Sequence, residues 1–403
     1  MTAPATEHSP PGTVVAARRA RASVIATFFV HGLLFASWTA HIPSIKAALG
    51  LNDASLGLAL LGPPLGSICA MGLASWFVPR LGSRLLVRIT LGGYALAGPL
   101  VGLAHSAFEL SAALFVWGAF QGTLDISMNA QAIAVEQGLG RRLMNTMHAC
   151  WGLGAFAGAG IGTVGVALGV GLTPQLLVTG LPTAAVALLL TARMLGDRRG
   201  PAHPQEGAGA PPVTERPRRR AFPTAVLVLG AIAFASMLCE GAAADWSSVY
   251  LRESAAGSAA VAGLGYTVFT LAMVIVRFTG DALLTRFGAA VVIPALAALA
   301  AATLAAALAA GGVAFGLVAF FVLGLGLGAV VPGTFSAAGR LADLHPGQAV
   351  AYVSGLGWAG FLLGPPIIGQ VAGATSLPLA LGLVPLLCAF IVLAARRVTA
   401  MRG

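Results

Sequence analysis

Three polar side chains stand four residues apart in one apolar stretch: Gln121, Asp125 and Asn129, within and just ahead of GTLDISMNAQAIAVEQG (122–138). A helix turns every 3.6 residues, so positions i, i+4 and i+8 make one stripe on one face. A carboxylate flanked by amides on a greasy face can bind and release a proton, or hydrogen-bond a polar molecule. The same groups can tie two helices together, but asparagine alone would meet that need. Asp125 is therefore read as a proton-binding group, with Gln121 and Asn129 as hydrogen-bonding companions. Glu136, beside Arg141 and Arg142, reads as a solvated ion pair.

A second constellation lies in CEGAAADWSSVYL (239–251), where Glu240 precedes Asp245 and Trp246. It parallels HGLLFASW (31–38), where His31 precedes Trp38. Glu240 is either a second site carboxylate or a structural pair, and Asp245 lies nearer the end of its segment. His31 is either a site group or a buried neutral imidazole bonded to a carbonyl. In NTMHACWGLGAFAGAGIG (145–162), His148 and Trp151 share a face, which offers a hydrogen bond and an apolar wall. GPPLG (62–66) and GLGWAGFLLGPPIIG (355–369), with Trp358 and Pro365, hold prolines that permit bending, as a gate requires.

Other chemistries find no residues. There is no GxxxxGK[ST] phosphate loop, no His/Cys/Glu cluster at metal spacing, and no nucleophile near a base in a polar loop. Catalytic residues, metal and cofactor are all expected to be absent, so the chain is not read as an enzyme and any energy must come from an ion gradient, H+ above all. Cys69, Cys150, Cys239 and Cys388 fall in separate apolar segments and read as small buried hydrophobes.

The elements that must position these groups follow from composition. Of 403 residues, 58% are hydrophobic and 9% charged, against about 25% charged in soluble domains. Such a chain cannot cover a water-facing surface, so its solvent is largely lipid. The net charge of +10 does not imply nucleic acid, because the basic residues fall in short segments between apolar runs. A spanning helix needs about 20 apolar residues, which predicts twelve spans: 23–43, 55–78, 85–104, 110–135, 145–168, 174–194, 223–250, 259–281, 289–309, 312–336, 348–372 and 377–395. Residues 1–21 are polar and basic, and the first apolar run is too long for a cleavable signal.

Arg18, Arg19, Arg21, Arg80, Arg84, Arg141, Arg142, Arg286, Arg340, Arg396, Arg397 and Arg402 all fall on one side of this topology, while the opposite loops hold only Lys46 and Arg252. Positive charge marks the cytoplasmic side, so a multi-pass protein of the inner (plasma) membrane with both termini cytoplasmic is expected. The hydrophilic break GDRRGPAHPQEGAGAPPVTERPRRRAF (196–222) reads as a disordered tether. The expected organisation is a tail (1–22), a six-helix half (23–194), a linker (195–222), a second half (223–395) and a tail (396–403). The halves look related: RLG at Arg80 recurs as RFG at Arg286, and GAFQG at Gly118 as GLGLG at Gly324, each 206 residues on, while GLG at Gly152 recurs at Gly355, 203 on.

Two six-helix halves around a cytoplasmic linker resemble the major facilitator superfamily. The resemblance implies an all-α membrane protein of twelve helices in two pseudo-symmetric halves. The loop after the second span keeps Arg80, Gly82 and Arg84 of that family's gating motif, without its leading glycine, where Ser75 stands, and without its acidic residue, where Pro79 stands. The second half keeps Arg277, Gly280, Asp281, Arg286 and Gly288 in RFTGDALLTRFG. Arg277 and Asp281, four apart, are expected to pair at the membrane edge. Leu124-Asp125-x-x-x-Asn129 and FFVHG (28–32) resemble fucose-permease-like sugar permeases and uncharacterised inner-membrane relatives, although Thr39 stands where those permeases carry a further carboxylate.

The resemblance implies a secondary active transporter of a small polar solute, a sugar or related metabolite, proton-coupled and working by alternating access as a monomer in the bilayer. The site would draw on Asp125, Glu240, Asn129, Gln121, His31, His148, Trp151 and Asp245. The external ends of the first and seventh spans, at His41 and Tyr250, are expected to approach each other in one state. The alternatives are efflux of amphipathic compounds by the same fold and, third, a non-transporting membrane receptor.

Overall fold

The computed structural model describes residues 11–141, 143–196, 224–341 and 346–397. Its regular elements are all helical. One half contains α1 (Pro11–Ser37), α2 (Gly62–Leu81), α3 (Ser83–Val101), α4 (Ala107–Leu139), α5 (Met144–Ala167) and α6 (Leu181–Leu190). The other contains α7 (Thr224–Val249), α8 (Ala259–Phe287), α9 (Ala289–Ala310), α10 (Val313–Leu327), α11 (Pro346–Ala374) and α12 (Leu383–Arg397). Short helices lengthen several of these, notably Ile42–Ala48 and Asp53–Ala59 between α1 and α2. The linker from 197 on, Arg142, Arg402 and the side chain of Asp281 lie outside the described residues.

Among the described residues, eleven helical stretches are long and apolar enough to cross a membrane, not twelve. The exception is the expected span 110–135. It is a helix of 33 residues, α4, but Gln121, Thr123, Asp125, Ser127, Asn129 and Gln131 make it too polar to belong to that set. Its neighbours explain how it is housed: α4 packs on α1, α2 and α3, so protein rather than lipid shelters much of its surface.

The two halves repeat one packing plan. In each, the first helix lies on the fifth (α1 on α5, α7 on α11) and the second on the fourth (α2 on α4, α8 on α10). A Cβ at Gly154 of α5 would collide with the Phe29 carbonyl, and one at Gly360 of α11 with the Phe234 carbonyl. Gly118 of α4 meets the Pro63 carbonyl in the same way, and Gly324 of α10 that of Phe269. In lipid there is little hydrophobic force between helices, so close backbone approach at small residues supplies the dispersion contact that holds them. Gly82 and Gly288, 206 residues apart, close α2 and α8 with matching φ of 81° and 78°, a region glycine enters without strain.

Candidate functional site

The halves face each other across α1, α5, α7, α8 and α11. An aromatic and imidazole cluster begins on α1, where the Trp151 indole of α5 donates to His31 Nδ1 at 2.6 Å. His31 is buried and packs on Tyr94 of α3, with ring centroids 5.5 Å apart. Its Nε2 faces the main chain of Gln121 without a well-formed hydrogen bond. Tyr94 stacks on Trp117 of α4 at 5.0 Å, and Trp117 meets Trp38 edge-on at 6.0 Å. Phe35 crosses to the other half, touching Trp151 at 5.9 Å and Tyr266 of α8 at 6.5 Å. His31 and Trp151 were each expected in the site, and the bond between them is new. Tyr94, Trp117, Phe35 and Tyr266 carried no spacing signal in the sequence.

Three carboxylates on the helices about this cluster are half-buried: Asp125 two turns along α4 from Trp117, and Glu240 and Asp245 of α7, both within electrostatic range of Tyr266. Asp125 meets its own stripe: the Asn129 amide donates to Asp125 Oδ1 at 3.3 Å and to its main-chain carbonyl at 2.8 Å. Glu240 accepts from Ser236 one turn earlier at 3.3 Å. Asp245 lines a cavity of about 20 Å3 with Phe35, Trp38, Trp117, Phe361 and Pro365, drawn from both halves, room for one water molecule. Among the described residues none of the three is ion-paired. His148 is exposed and meets Phe28 edge-on at 5.3 Å. Gln121 is half-buried on the same face as Asp125.

Other expectations change. The Arg277 guanidinium, whose expected partner Asp281 has its side chain outside the described residues, lies 6.0 Å from the Trp151 ring, across the interface, and within electrostatic range of Glu240 and His148. Glu136 accepts from the Leu143 and Met144 amides, both at 3.0 Å. It caps the start of α5 rather than pairing with Arg141, because unbonded amides at a helix start attract a carboxylate. Arg80 donates to the Trp76 carbonyl of its own helix and lies over that ring at 3.8 Å. Arg84 donates to the Ala192 carbonyl at 2.9 Å. Gly82 is a helix junction. Each of these contacts stays within one half rather than spanning the two. Trp358 packs on Phe361 at 6.0 Å.

The interface is fastened at one end. Lys46, the chain's sole lysine, donates to Asp53 at 2.6 Å in its own half and to Glu253 at 2.5 Å in the other. Ser248 donates to the Thr39 carbonyl at 2.8 Å, Thr163 and Thr267 share a hydrogen bond of 3.2 Å, and Gln370 reaches the Ala54 carbonyl at 3.3 Å. Gly57 lies against Pro365 and Gly369 of α11. The ends of α1 and α7 at His41 and Tyr250 meet through Ser248 and Thr39. His41 turns to Gln175 and Tyr250 to the Ala307 carbonyl, each inside its own half.

The Major Facilitator Superfamily family model matches residues 24–255. An uncharacterised MFS-type transporter of Yersinia pestis is 34% identical over 372 residues, 92% of this chain and 94% of that protein. Membrane protein MosC of Rhizobium meliloti is 32% identical over 359 residues, 88% and 84% of the two chains. Among solved structures, nucleoside transporter NupG aligns with a TM-score of 0.66 at 14% identity, over 94% of this chain and 98% of that one. A single-substitution variant of the E. coli fucose:proton symporter FucP aligns with a TM-score of 0.59 at 20% identity, over 93% and 97%. At these identities the solved structures speak to fold alone.

Proposed function

Because the chain belongs to the Major Facilitator Superfamily, we propose that it is a secondary active transporter that carries a small polar solute by alternating access, with H+ as the coupling ion. One observation carries the reading: Asp125 from one half and Glu240 and Asp245 from the other lie half-buried without ion pairs among the described residues, around an aromatic cluster where the halves meet. A charge inside a span costs at least about 2.5–3.5 kcal/mol, a cost that a proton or a bound polar solute relieves. Asp125 binds the proton. Glu240, Asp245, Gln121, Asn129 and His148 supply polar contacts, and Trp151 an apolar face held in orientation by its bond to His31. The names of the fold neighbours, a nucleoside transporter and a fucose:proton symporter, agree with a polar cargo and with proton coupling.

The arginine-rich loops put that end in the cytoplasm with both termini, and the Lys46 end outside, in the inner membrane. Halves 23–194 and 223–395 rock about the site, tethered by 195–222. In proteoliposomes, flux of a sugar, nucleoside or acid should respond to ΔpH and lose gradient-driven accumulation in Asp125→Asn. Undiminished accumulation in that variant removes the proton assignment. Ethidium efflux insensitive to every polar solute would replace the polar cargo with amphipathic compounds.

A further inference from the structure

We propose that Arg277 is an anion-recognition group and that the solute carries a carboxylate, which the guanidinium holds beside Trp151. The inference rests on the site reading above and narrows it to a chemical class.

Among the described residues the half-buried Arg21 and Arg277 stand apart from arginines that have a partner in their own half. Arg80, Arg84, Arg88 and Arg252 each donate to a carbonyl or hydroxyl within their own half. Arg277 donates to nothing among the described residues, although it is half-buried and lies inside the span 259–281, four residues from its end, about 6 Å along the helix. Arginines inside a span are costly, and such residues mark candidate ligand paths. Gly152 lies opposite, and a Cβ there would come within 3.1 Å of Arg277 Nη1, so any side chain at 152 would crowd the guanidinium. The Trp151 ring at 6.0 Å is at the outer limit of cation–π contact: it orients the guanidinium without neutralising it.

The available charges select the anion. One guanidinium presents a planar fork that matches one carboxylate through two parallel hydrogen bonds. A phosphate dianion would want a second permanent cation, and the other titratable groups within range here are Glu240, of the wrong sign, and the His148 imidazole, a cation only when protonated. A planar monoanion fits, with its apolar or ring portion toward Trp151 and Phe35. Arg277 thereby sets specificity from α8, in the half opposite the one that carries the Asp125 stripe.

The test uses the purified full-length protein and paired probes: shikimate against its methyl ester, and glucuronate against glucose, read by thermal shift and tryptophan fluorescence. At least one carboxylate should stabilise the protein while its neutral partner does not. Arg277→Gln should weaken that binding about 10- to 100-fold, the range for a lost hydrogen bond to a charged group. Arg277→Lys, which keeps the charge but loses the fork, should weaken it less and leave the unliganded melting temperature unchanged, so it decides the matter if the glutamine variant does not fold. The proposal is overturned if neutral partners bind as well as the acids, if binding survives both substitutions, or if no carboxylate of the panel binds. Flux is scored separately. An acid bound through Arg277 but never carried ends the transport reading and leaves this one; a neutral solute carried under ΔpH does the reverse.

Discussion

Lys46 and Arg80 belong to the same half and end up at opposite ends of the interface, and their surroundings differ in kind. Lys46 has 8% of its side chain exposed and bridges Asp53 in its own half and Glu253 in the other. Arg80 folds back on its own helix, onto the Trp76 carbonyl and ring. The contrast extends beyond two residues. Among the described residues, the hydrogen bonds that join the halves lie at the Lys46 end, at Ser248–Thr39, Thr163–Thr267 and Gln370–Ala54 as well. At the arginine end the charges are mostly of one sign, and Arg80 and Arg84 find carbonyls in their own half. Directed polar contacts break over a small displacement, whereas like charges have nothing to break. The free energy that distinguishes one state of this interface from another is therefore concentrated at the Lys46 end.

The largest effect is expected from Gly57→Leu. A Cβ there would lie 2.7 Å from the Pro365 carbonyl and 2.9 Å from Gly369 Cα, and overpacking of this kind costs about 1–3 kcal/mol or more. The closed Lys46 end should spring open, so that a cysteine at Leu60, which lines the Asp245 cavity, reacts at least about tenfold faster with a membrane-impermeant thiol reagent from that side. An unchanged rate would mean the glycine contact is not a seal. Lys46→Ala comes next. It leaves Asp53 and Glu253 facing each other, but Glu253 is 40% exposed, so solvent screening holds the effect to about 1–2 kcal/mol. The same labelling rate should rise several-fold, and high salt should narrow the gap between variant and parent. Ser248→Ala removes one hydrogen bond to Thr39 and should shift the equilibrium by about 0.5–1.5 kcal/mol. Arg80→Gln, at the other end, should change it by less than about 0.5 kcal/mol; a larger change would dissolve the distinction between the two ends.

Much of the fold is legible in the sequence because lipid imposes simple demands. Apolar runs mark the spans, arginines mark one side, and the 206-residue offset reappears as the matched turns at Gly82 and Gly288. The fourth span is the instructive case: it is a helix as expected, and the polar stripe proposed as its functional face is what removes it from the set apolar enough to cross by composition. In the site, the Asp125–Asn129 contact is local and could be read from spacing. Trp151–His31, 120 residues apart, could not. The expected pairing of Arg277 with Asp281 lies outside the described residues, and the neighbour that the structure does give Arg277, Trp151 across the interface, is 126 positions away and invisible in a string. Glu136 misled, since main-chain amides at the start of α5 compete with nearby arginines and have no letter of their own. Lys46 left a faint signal as the sole lysine in the sparsely charged loops, but its partner Glu253 lies 207 positions away.

The most direct measurement closes the Lys46 end covalently. Thr163 and Thr267 face each other across α5 and α8 with oxygens 3.2 Å apart, so Thr163→Cys with Thr267→Cys, in protein lacking Cys69, Cys150, Cys239 and Cys388, should form a disulfide on oxidation. Alternating access predicts that the oxidised protein still binds its solute from the arginine end yet carries none across proteoliposome membranes, and that reductant restores the flux. Crosslinked protein that transports at the uncrosslinked rate would contradict it.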